Sequence, residues 1–361
     1  MTAFLRKFDW PLLIITASII SLGLLTIYGI GSLARDFFYR QLVFFILSVG
    51  IIFLVSRIDY RIFKNSSFIV VVFYIITVVF LFSVLQFSPI RAVRSWIVVH
   101  TFQFEPSEIA KLVLLILLAK YFSQKHAEIY RVRHVVASFI YTAIPAFLIF
   151  IQPDLGSAFI FFIIWFALLF VSGIKYQHLI AILILIILFA SIGWVFVLEQ
   201  YQKDRIASFL NPFLDPKGSG YSTIQSKIAI GSGSWLGNGL GKGTQSSAGF
   251  IPEVHTDFIF ASFVEQFGFI GAMFLIFIIL LLFFRISYIC RRADNNFSKL
   301  FGIGFISLAG AHILLSIGIN VGMLPVTGIP FSFLSYGGSH LLTLSVGIGI
   351  IESIKAHGSF S

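Results

Sequence analysis

Long apolar runs follow one another along almost the whole chain, separated by short polar segments. A bilayer core of about 30 Å takes roughly 20 apolar residues as a helix, and the runs have that length. They lack the short alternating segments that an outer-membrane barrel requires. The pattern therefore predicts an all-α polytopic membrane protein, one integral membrane domain over 1–361, with about ten transmembrane helices at 11–31, 38–56, 67–87, 107–122, 134–151, 156–173, 178–198, 257–284, 300–322 and 334–354.

Composition supports this interpretation and suggests an orientation. Of the 361 residues, 58% are hydrophobic and only 11% are charged. Most of the 25 basic residues fall in segments that share a side with the amino terminus, which predicts cytoplasmic termini. The net charge of +10 then reflects topology and contact with anionic membrane lipids, so no nucleic-acid partner is expected. The head MTAFLRKFDW leads into an apolar run without a small-residue cleavage site, so we expect the first helix to be retained.

One long polar segment, 199–256, lies between predicted helices 7 and 8, and the orientation makes it a large extracytoplasmic loop. Loops of this length usually carry function. Its second half is rich in glycine, which permits unusual backbone angles and close approach. A phosphate cradle is one interpretation, although neither the Walker pattern nor GxGxxG occurs. A flexible re-entrant loop is the alternative.

This loop delivers a carboxylate, Asp257, to the expected first turn of helix 8. An ionisable group at the mouth of a membrane segment loses part of its hydration, so a chain that keeps one there usually uses it. The structural alternative is helix capping by Thr256 and Asp257. A cap does not require the preceding PEVHT, and we therefore interpret Asp257 as the functional centre.

Metal and redox chemistry have little support in the sequence. Cys290 is the single cysteine, so no intrachain disulfide can form. The eight histidines show no HxxxH or HxxE spacing, and no protein-ligated metal site is expected. A loosely held magnesium or manganese ion bridging phosphates and one carboxylate stays open.

Five separated motifs resemble, in the right order, those of the SEDS family of bacterial cell-wall polymerases, the FtsW/RodA/SpoVE group. The resemblance covers essentially the full chain, and GTQS…FIPEVHTDFIFA is closest to the RodA-like branch. The motifs are RAVRSWI with Trp96, FQFEPSEIAKL with Glu108 and Lys111, QPDLGSA with Asp154, the Asp257 segment, and GIPFSFLSYGGS with Ser335.

Two departures from the family pattern accompany these motifs. Ser332 stands where a second proline is usual, and Ser316 where asparagine is usual. Asn320 corresponds to an asparagine of some division-type members. We expect the two departures, Ser332 and Ser316, to lie away from Asp257 and to leave its chemistry unchanged.

The resemblance implies a peptidoglycan glycosyltransferase of the bacterial cytoplasmic (inner) membrane, with its active site facing outward. It would polymerise lipid II into β-1,4-linked glycan strands with inversion, for cell elongation and shape. Asp257 would be the catalytic base, and a class B penicillin-binding protein would be the transpeptidase partner. A magnesium or manganese ion at the pyrophosphate is an open possibility. The expected substrate-binding residues are Trp96, Arg94, Arg205, Gln225, Lys242 and Ser335.

Other polar residues of the motifs are expected to shape this site. Glu108 and Lys111, three residues apart, share a helix face and can pair, although Asp154 is an alternative partner for Lys111. Glu265 lies deeper in the membrane than Asp257, which suits an internal hydrogen-bond partner. His255 and Thr256 are expected to orient or cap the segment before helix 8.

Two other functions remain as alternatives at this stage. A lipid II flippase or transporter is also a many-helix bundle with intramembrane charges. Against it, the candidate residues cluster near the outer face, and the hydropathy pattern shows no inverted repeat. A non-catalytic scaffold of the cell-wall synthesis complex is the third candidate. It predicts that the Asp257→Asn variant still supports cell shape in a complementation assay.

Overall fold

The described residues form a helical bundle with one small hairpin. The computed structural model describes residues 7–86, 96–99, 102–125, 131–180, 182, 184, 203, 209 and 220–358. Its elements are α1 (Trp10–Ile30), a 3-10 turn (Gly31–Ala34), α2 (Arg35–Ser56), α3 (Arg61–Asn65), α4 (Ser67–Val84), β1 (Ile97–Val99), β2 (Phe102–Phe104), α5 (Pro106–Lys125), α6 (Val132–Ile151), α7 (Leu155–Val171), α8 (Tyr221–Ser232), α9 (Thr244–Ser247), α10 (Ile259–Arg291), α11 (Asn296–Asn320) and α12 (Gly338–His357).

The helical, multi-pass character predicted from hydropathy is confirmed. Five described helical stretches are long and apolar enough to cross a membrane: Trp10–Ser56, Ser67–Val84, Val132–Ile151, Ile259–Arg291 and Asn296–Asn320. The first six predicted spans each coincide with a helix, α1, α2 and α4 to α7, within a few residues. The seventh span, 178–198, falls largely outside the described residues. The last span begins four residues later than predicted, at Gly338, because the preceding segment folds into a buried turn.

Helix α5 forms the centre of the bundle. Nearly all its side chains are buried, and it packs against α4, α7, α11 and α12. Around it, α2 packs along α12, and α1 along α10. Because α5 is surrounded by other helices, its charged residues Glu108 and Lys111 lie in the protein interior instead of facing lipid.

Both ends of the described chain lie at the same end of the bundle. The buried carboxylate of Asp9 accepts hydrogen bonds from Arg285 at 2.7 Å and from Lys355 at 2.6 Å. Its backbone N–H donates to Glu352 at 2.9 Å. Burial acts to raise the pKa of Asp9, but the bonds from Arg285 and Lys355 hold this pKa below its ordinary value. The start of α1 and the ends of α10 and α12 therefore share one membrane face, and the start of α10 lies at the other.

Helix α10 is broken at Gly268, where φ is 70° and ψ is −171°. The backbone groups freed by the break are paired with the preceding loop. The N–H groups of Asn238 and Gly239 donate to the carbonyls of Glu265 and Gln266 at 2.9 and 3.0 Å. Non-helical backbone within a membrane segment is tolerated only when it is satisfied in this way. The glycines of this loop thus allow it to pack closely on α10. The backbone amides of Asn238 and Gly239 are engaged in these bonds and are not available to bind phosphate.

Candidate functional site

Asp257 lies in a tight turn that precedes α10, and not in its first turn as predicted. The helix begins at Ile259, its N-cap is Phe258, and its first turn contains no acidic residue. The carbonyl of Glu253 accepts the N–H groups of Thr256, Asp257 and Phe258 at 3.1–3.3 Å, which closes the turn. The capping role considered for Thr256 and Asp257 is therefore wrong. The turn projects the carboxylate from the helix end without using it as a cap.

Asn320, at the end of α11, fixes the backbone of Asp257. Its side-chain N–H₂ donates to the carbonyl of Asp257 at 2.7 Å and to that of Ser316 at 2.8 Å. Its side-chain oxygen accepts the N–H of Ala261 at 2.9 Å, which supplies the missing cap of α10. The expectation that Ser316 lies away from Asp257 is wrong, because one Asn320 amide nitrogen donates to the carbonyls of both residues. The contact between Asn320 and Asp257 was not predicted, since the two residues are 63 positions apart in the chain.

The SYGGS segment holds the other side of the same turn. The Ser335 hydroxyl donates to the carbonyl of Thr256 at 2.7 Å and accepts the N–H of Phe331 at 2.8 Å. The N–H of Tyr336 donates to the carbonyl of His255 at 2.9 Å. Ser335 was expected to contact substrate, but its buried hydroxyl is committed to these bonds. Its role in the structure is to position the Asp257 turn.

The imidazole ring of His255 packs against aromatic side chains. It stacks on Phe37 with ring centroids 3.8 Å apart, and both rings meet the edge of Tyr336. The carboxylate of Asp257 is half-buried, and its Oδ2 atom lies beside the exposed Gly328, where an added Cβ would be 3.8 Å away. The chain thus fixes Asp257 on its backbone side, and the residue as a whole stays partly exposed.

A buried polar cluster lies between α5, α11 and α12. Lys111 Nζ donates to Glu108 at 2.7 Å and is 3.1 Å from His312 Nε2. His340 Nδ1 lies 2.8 Å from the second oxygen of Glu108. Of the two partners predicted for Lys111, Glu108 is confirmed. Asp154 instead caps α7, where it accepts the N–H of Ser157 at 3.0 Å.

The two histidines of this cluster were not apparent from sequence spacing. Single ligand atoms of Glu108, His312 and His340 all lie within 4.8 Å of one another, so the fold builds a three-residue group that could hold a cation. The ammonium of Lys111 lies among them. A lysine in that position already supplies the compensating positive charge that a buried carboxylate needs.

The hairpin of β1 and β2 directly precedes α5, and β2 packs against α12. Its register pairs Ile97 with Phe104, so the half-buried Trp96 directly precedes the paired strands and Glu105 directly follows them. The N–H of Glu105 donates to the Ser339 hydroxyl at the start of α12, at 3.2 Å. Burial, followed by the nearby carboxylates, raises the pKa of Glu105 to about 8. Burial likewise raises the pKa of Asp154.

A basic cavity at the start of α2 was not predicted from the sequence. Its volume is about 280 Å³, and its lining includes Arg35, Asp36, Phe37 and Arg40. Neither guanidinium makes a hydrogen bond or ion pair with a described residue. Phe37 connects the cavity to the site, because it stacks on His255, two residues before Asp257. The sequence feature that could have indicated this cavity is the run RDFFYR, in which the two arginines are five residues apart.

The remaining predicted residues are Arg94, Arg205, Gln225, Lys242 and Glu265. Arg94 and Arg205 lie outside the described residues. Gln225 is half-buried on α8, and Lys242 is exposed. Glu265 is fully buried, and its carboxylate accepts the N–H groups of Gln245 and Ser246 at 2.7 and 3.0 Å. Glu265 thus makes the internal hydrogen bonds expected of it, and it ties the loop to α10.

Comparison with known proteins gives consistent results. The family model FtsW/RodA/SpoVE, described as cell cycle protein, matches residues 9–359. The peptidoglycan glycosyltransferase MrdB of Escherichia coli K12 is 35% identical over 285 residues, 79% of this chain and 77% of that protein. Stage V sporulation protein E of Bacillus subtilis is 33% identical over 363 residues, 98% of both chains.

Solved structures extend the similarity to the fold. One, concerned with the structural coordination of polymerization and crosslinking by a peptidoglycan synthase complex, contains a chain with a TM-score of 0.83 and 29% identity, covering 96% of this chain and 97% of that chain. The rod shape determining protein RodA of Thermus thermophilus gives a TM-score of 0.71 at 25% identity, over 96% of both chains.

Proposed function

Because the chain belongs to the FtsW/RodA/SpoVE family, we propose that it polymerises lipid II into glycan strands and that Asp257 is the catalytic base. The relatives named for their activity are peptidoglycan glycosyltransferases, and this protein is one as well. The observation that carries the assignment of the site is the half-buried Asp257 carboxylate, whose backbone is fixed by Asn320 and Ser335. A base held on a rigid frame is what proton transfer in a transition state requires.

In the proposed reaction, the 4-hydroxyl oxygen of an incoming lipid II attacks the anomeric carbon of the growing strand. Asp257 removes the hydroxyl proton as the new C–O bond forms. The bond from the anomeric carbon to the pyrophosphate oxygen breaks, and that oxygen takes the electron pair. The donor is α-linked and the product β-linked, so one displacement with inversion accounts for the stereochemistry. The proton then passes from Asp257 to water.

The leaving pyrophosphate needs charge neutralisation more than it needs a proton. Arg35 and Arg40 offer two guanidinium groups that pair with no described residue, in a cavity adjoining the His255 side of the turn. The exposed Lys242 is a third candidate for neutralising the pyrophosphate. Arg94 and Arg205 are further candidates that rest on the sequence alone. Fixed cations aimed at developing negative charge are typically worth several kcal/mol in a water-poor site. A magnesium or manganese ion held against the pyrophosphate by Asp257 would supply the same charge.

Three further proposals concern the orientation of the protein in the membrane, its partner and its role in the cell. The chain ends lie opposite Asp257, and the basic residues concentrate at their face, so we place both termini in the cytoplasm and the site outside the inner membrane. The neighbouring structure is of a complex that couples polymerization with crosslinking. This supports a class B penicillin-binding protein as partner. The GTQS and FIPE spellings favour a role in elongation and cell shape.

The test compares purified wild-type protein with the Asp257→Asn variant in lipid vesicles that contain lipid II and the penicillin-binding partner. The variant should form glycan at a rate about 10² to 10⁴ times lower. Asp294→Asn is the matched control, because it removes an exposed carboxylate at the opposite membrane face and should keep nearly full activity. Translocation of lipid II without glycan formation by the wild type would favour the flippase.

A further inference from the structure

A second cavity lies at the membrane face opposite Asp257. It has a volume of about 310 Å³ and is enclosed by the end of α7, the end of α10 and the start of α11. Helix α10 spans 33 residues, or roughly 50 Å at the usual rise, which separates this cavity from the Asp257 turn by the thickness of the membrane. We propose that this cavity binds the headgroup of an anionic phospholipid from the surrounding leaflet.

Among the described residues, the cavity is lined by two cationic side chains and by no acidic one. Arg291 from α10 and Lys299 from α11 line it, and both side chains are exposed. Neither side chain makes a hydrogen bond or ion pair with any residue in the described part of the chain. Asp294, the one acidic residue of the connection between these helices, is not part of the lining. Two cations in one cavity, with no counter-charge from the described residues, favour binding of an anion.

The rest of the polar lining suits a phosphodiester. Asn296 and Ser287 add hydrogen-bond donors beside the two cations. The cavity also includes the first residues of the 25-residue helix α11, whose amino-terminal end carries a partial positive charge. Cations, neutral donors and a helix amino terminus together form the combination that binds phosphate groups in proteins.

The apolar part of the lining distinguishes a lipid from a soluble phosphate. Val171, Leu300 and Ile303 continue the cavity on its membrane side, and Val171 is 47% exposed. A soluble phosphoryl compound gains nothing from this surface. An acyl chain can lie along it while the headgroup reaches Arg291 and Lys299. Basic pockets between helices at a membrane face are where anionic lipid headgroups bind.

The experiment uses the full chain in detergent and measures binding by native mass spectrometry and by thermal stability. Phosphatidylglycerol, phosphatidylcholine and inorganic phosphate are the three probes. Removing each positive charge should weaken phosphatidylglycerol binding about five-fold, and Arg291→Gln with Lys299→Gln about 30-fold. The matched control is Arg292→Gln, because Arg292 lies over the Tyr288 ring at 4.3 Å and does not line the cavity.

The proposal holds if phosphatidylglycerol binds more tightly than phosphatidylcholine, the double variant loses this preference, and the control keeps it. The charge-retaining variant, Arg291→Lys with Lys299→Arg, should also keep it, which excludes a folding defect as the cause. Equal binding of the two lipids would overturn the proposal, as would equal losses in the double variant and the control. Displacement by inorganic phosphate at concentrations comparable to the lipid would show that a soluble ligand is preferred.

Discussion

Replacing Asn320 with alanine should slow glycan formation without touching any group that contacts substrate. The change removes three hydrogen bonds of 2.7, 2.8 and 2.9 Å, and it leaves the buried N–H of Ala261 and the carbonyl of Asp257 without this partner. An orphaned buried group costs about 1–3 kcal/mol, so the loss in stability should be about 2–4 kcal/mol. A shift of about 1 Å in the Asp257 turn would lower the rate about 10²-fold.

Asn295→Ala is the matched control, since this residue lies at the opposite end of the same helix. It caps α11 through the N–H of Ser298 at 2.9 Å and donates to the Tyr60 hydroxyl at 2.9 Å. Its loss should cost about 1–2 kcal/mol in stability with no change in rate. The assay is lipid II polymerisation per mole of folded protein, with folding followed by thermal denaturation. Equal rates for Asn320→Ala and wild type would refute the positioning role.

Three further changes test other parts of the structure. Gly268→Ala should lower the melting temperature markedly, because φ there is +70° and a Cβ would overlap the backbone of the docked loop; Gly231→Ala, with open space around it, should be neutral or slightly stabilising. Because the pKa of Glu105 is raised to about 8, its carboxyl group keeps a proton in the folded state that the unfolded chain releases near pH 4.3. Thermal stability should therefore fall as the pH rises from about 5 to 8. The Glu105→Gln variant should show a flatter pH dependence in thermal melts. Lys111→Met leaves the buried Glu108 carboxylate uncompensated and should cost about 3–5 kcal/mol, partly recovered by also changing Glu108 to Gln; no loss in thermal stability would contradict the pairing.

Hydropathy was sufficient for most of the helices because each membrane span must satisfy its backbone internally and expose apolar side chains. It could not locate the break at Gly268, since the pairing partners of the freed groups lie about 30 residues earlier in the chain. It also placed the start of α10 too early. The residues before Ile259 are closed by bonds to the Glu253 carbonyl, which apolarity does not report.

The site was predictable where one residue type was out of place and unpredictable where contacts cross the fold. Asp257 and the pair Glu108 and Lys111 are charged residues in or beside apolar stretches, so they can be recognised from the sequence alone. Asn320 reaches Asp257 from 63 positions away, and His340 reaches Glu108 from 232. Such partners follow only from how the helices pack.

The central claim, that Asp257 removes the proton from the acceptor hydroxyl, is tested most directly by the rate of the first coupling between two lipid II molecules in a single turnover. Wild type, Asp257→Asn and Asp257→Glu should be compared at equal amounts of folded, lipid-II-bound protein. The account predicts that the amide variant couples about 10² to 10⁴ times more slowly while still binding lipid II, and that glutamate restores part of the rate. Coupling by Asp257→Asn at the wild-type rate would contradict it.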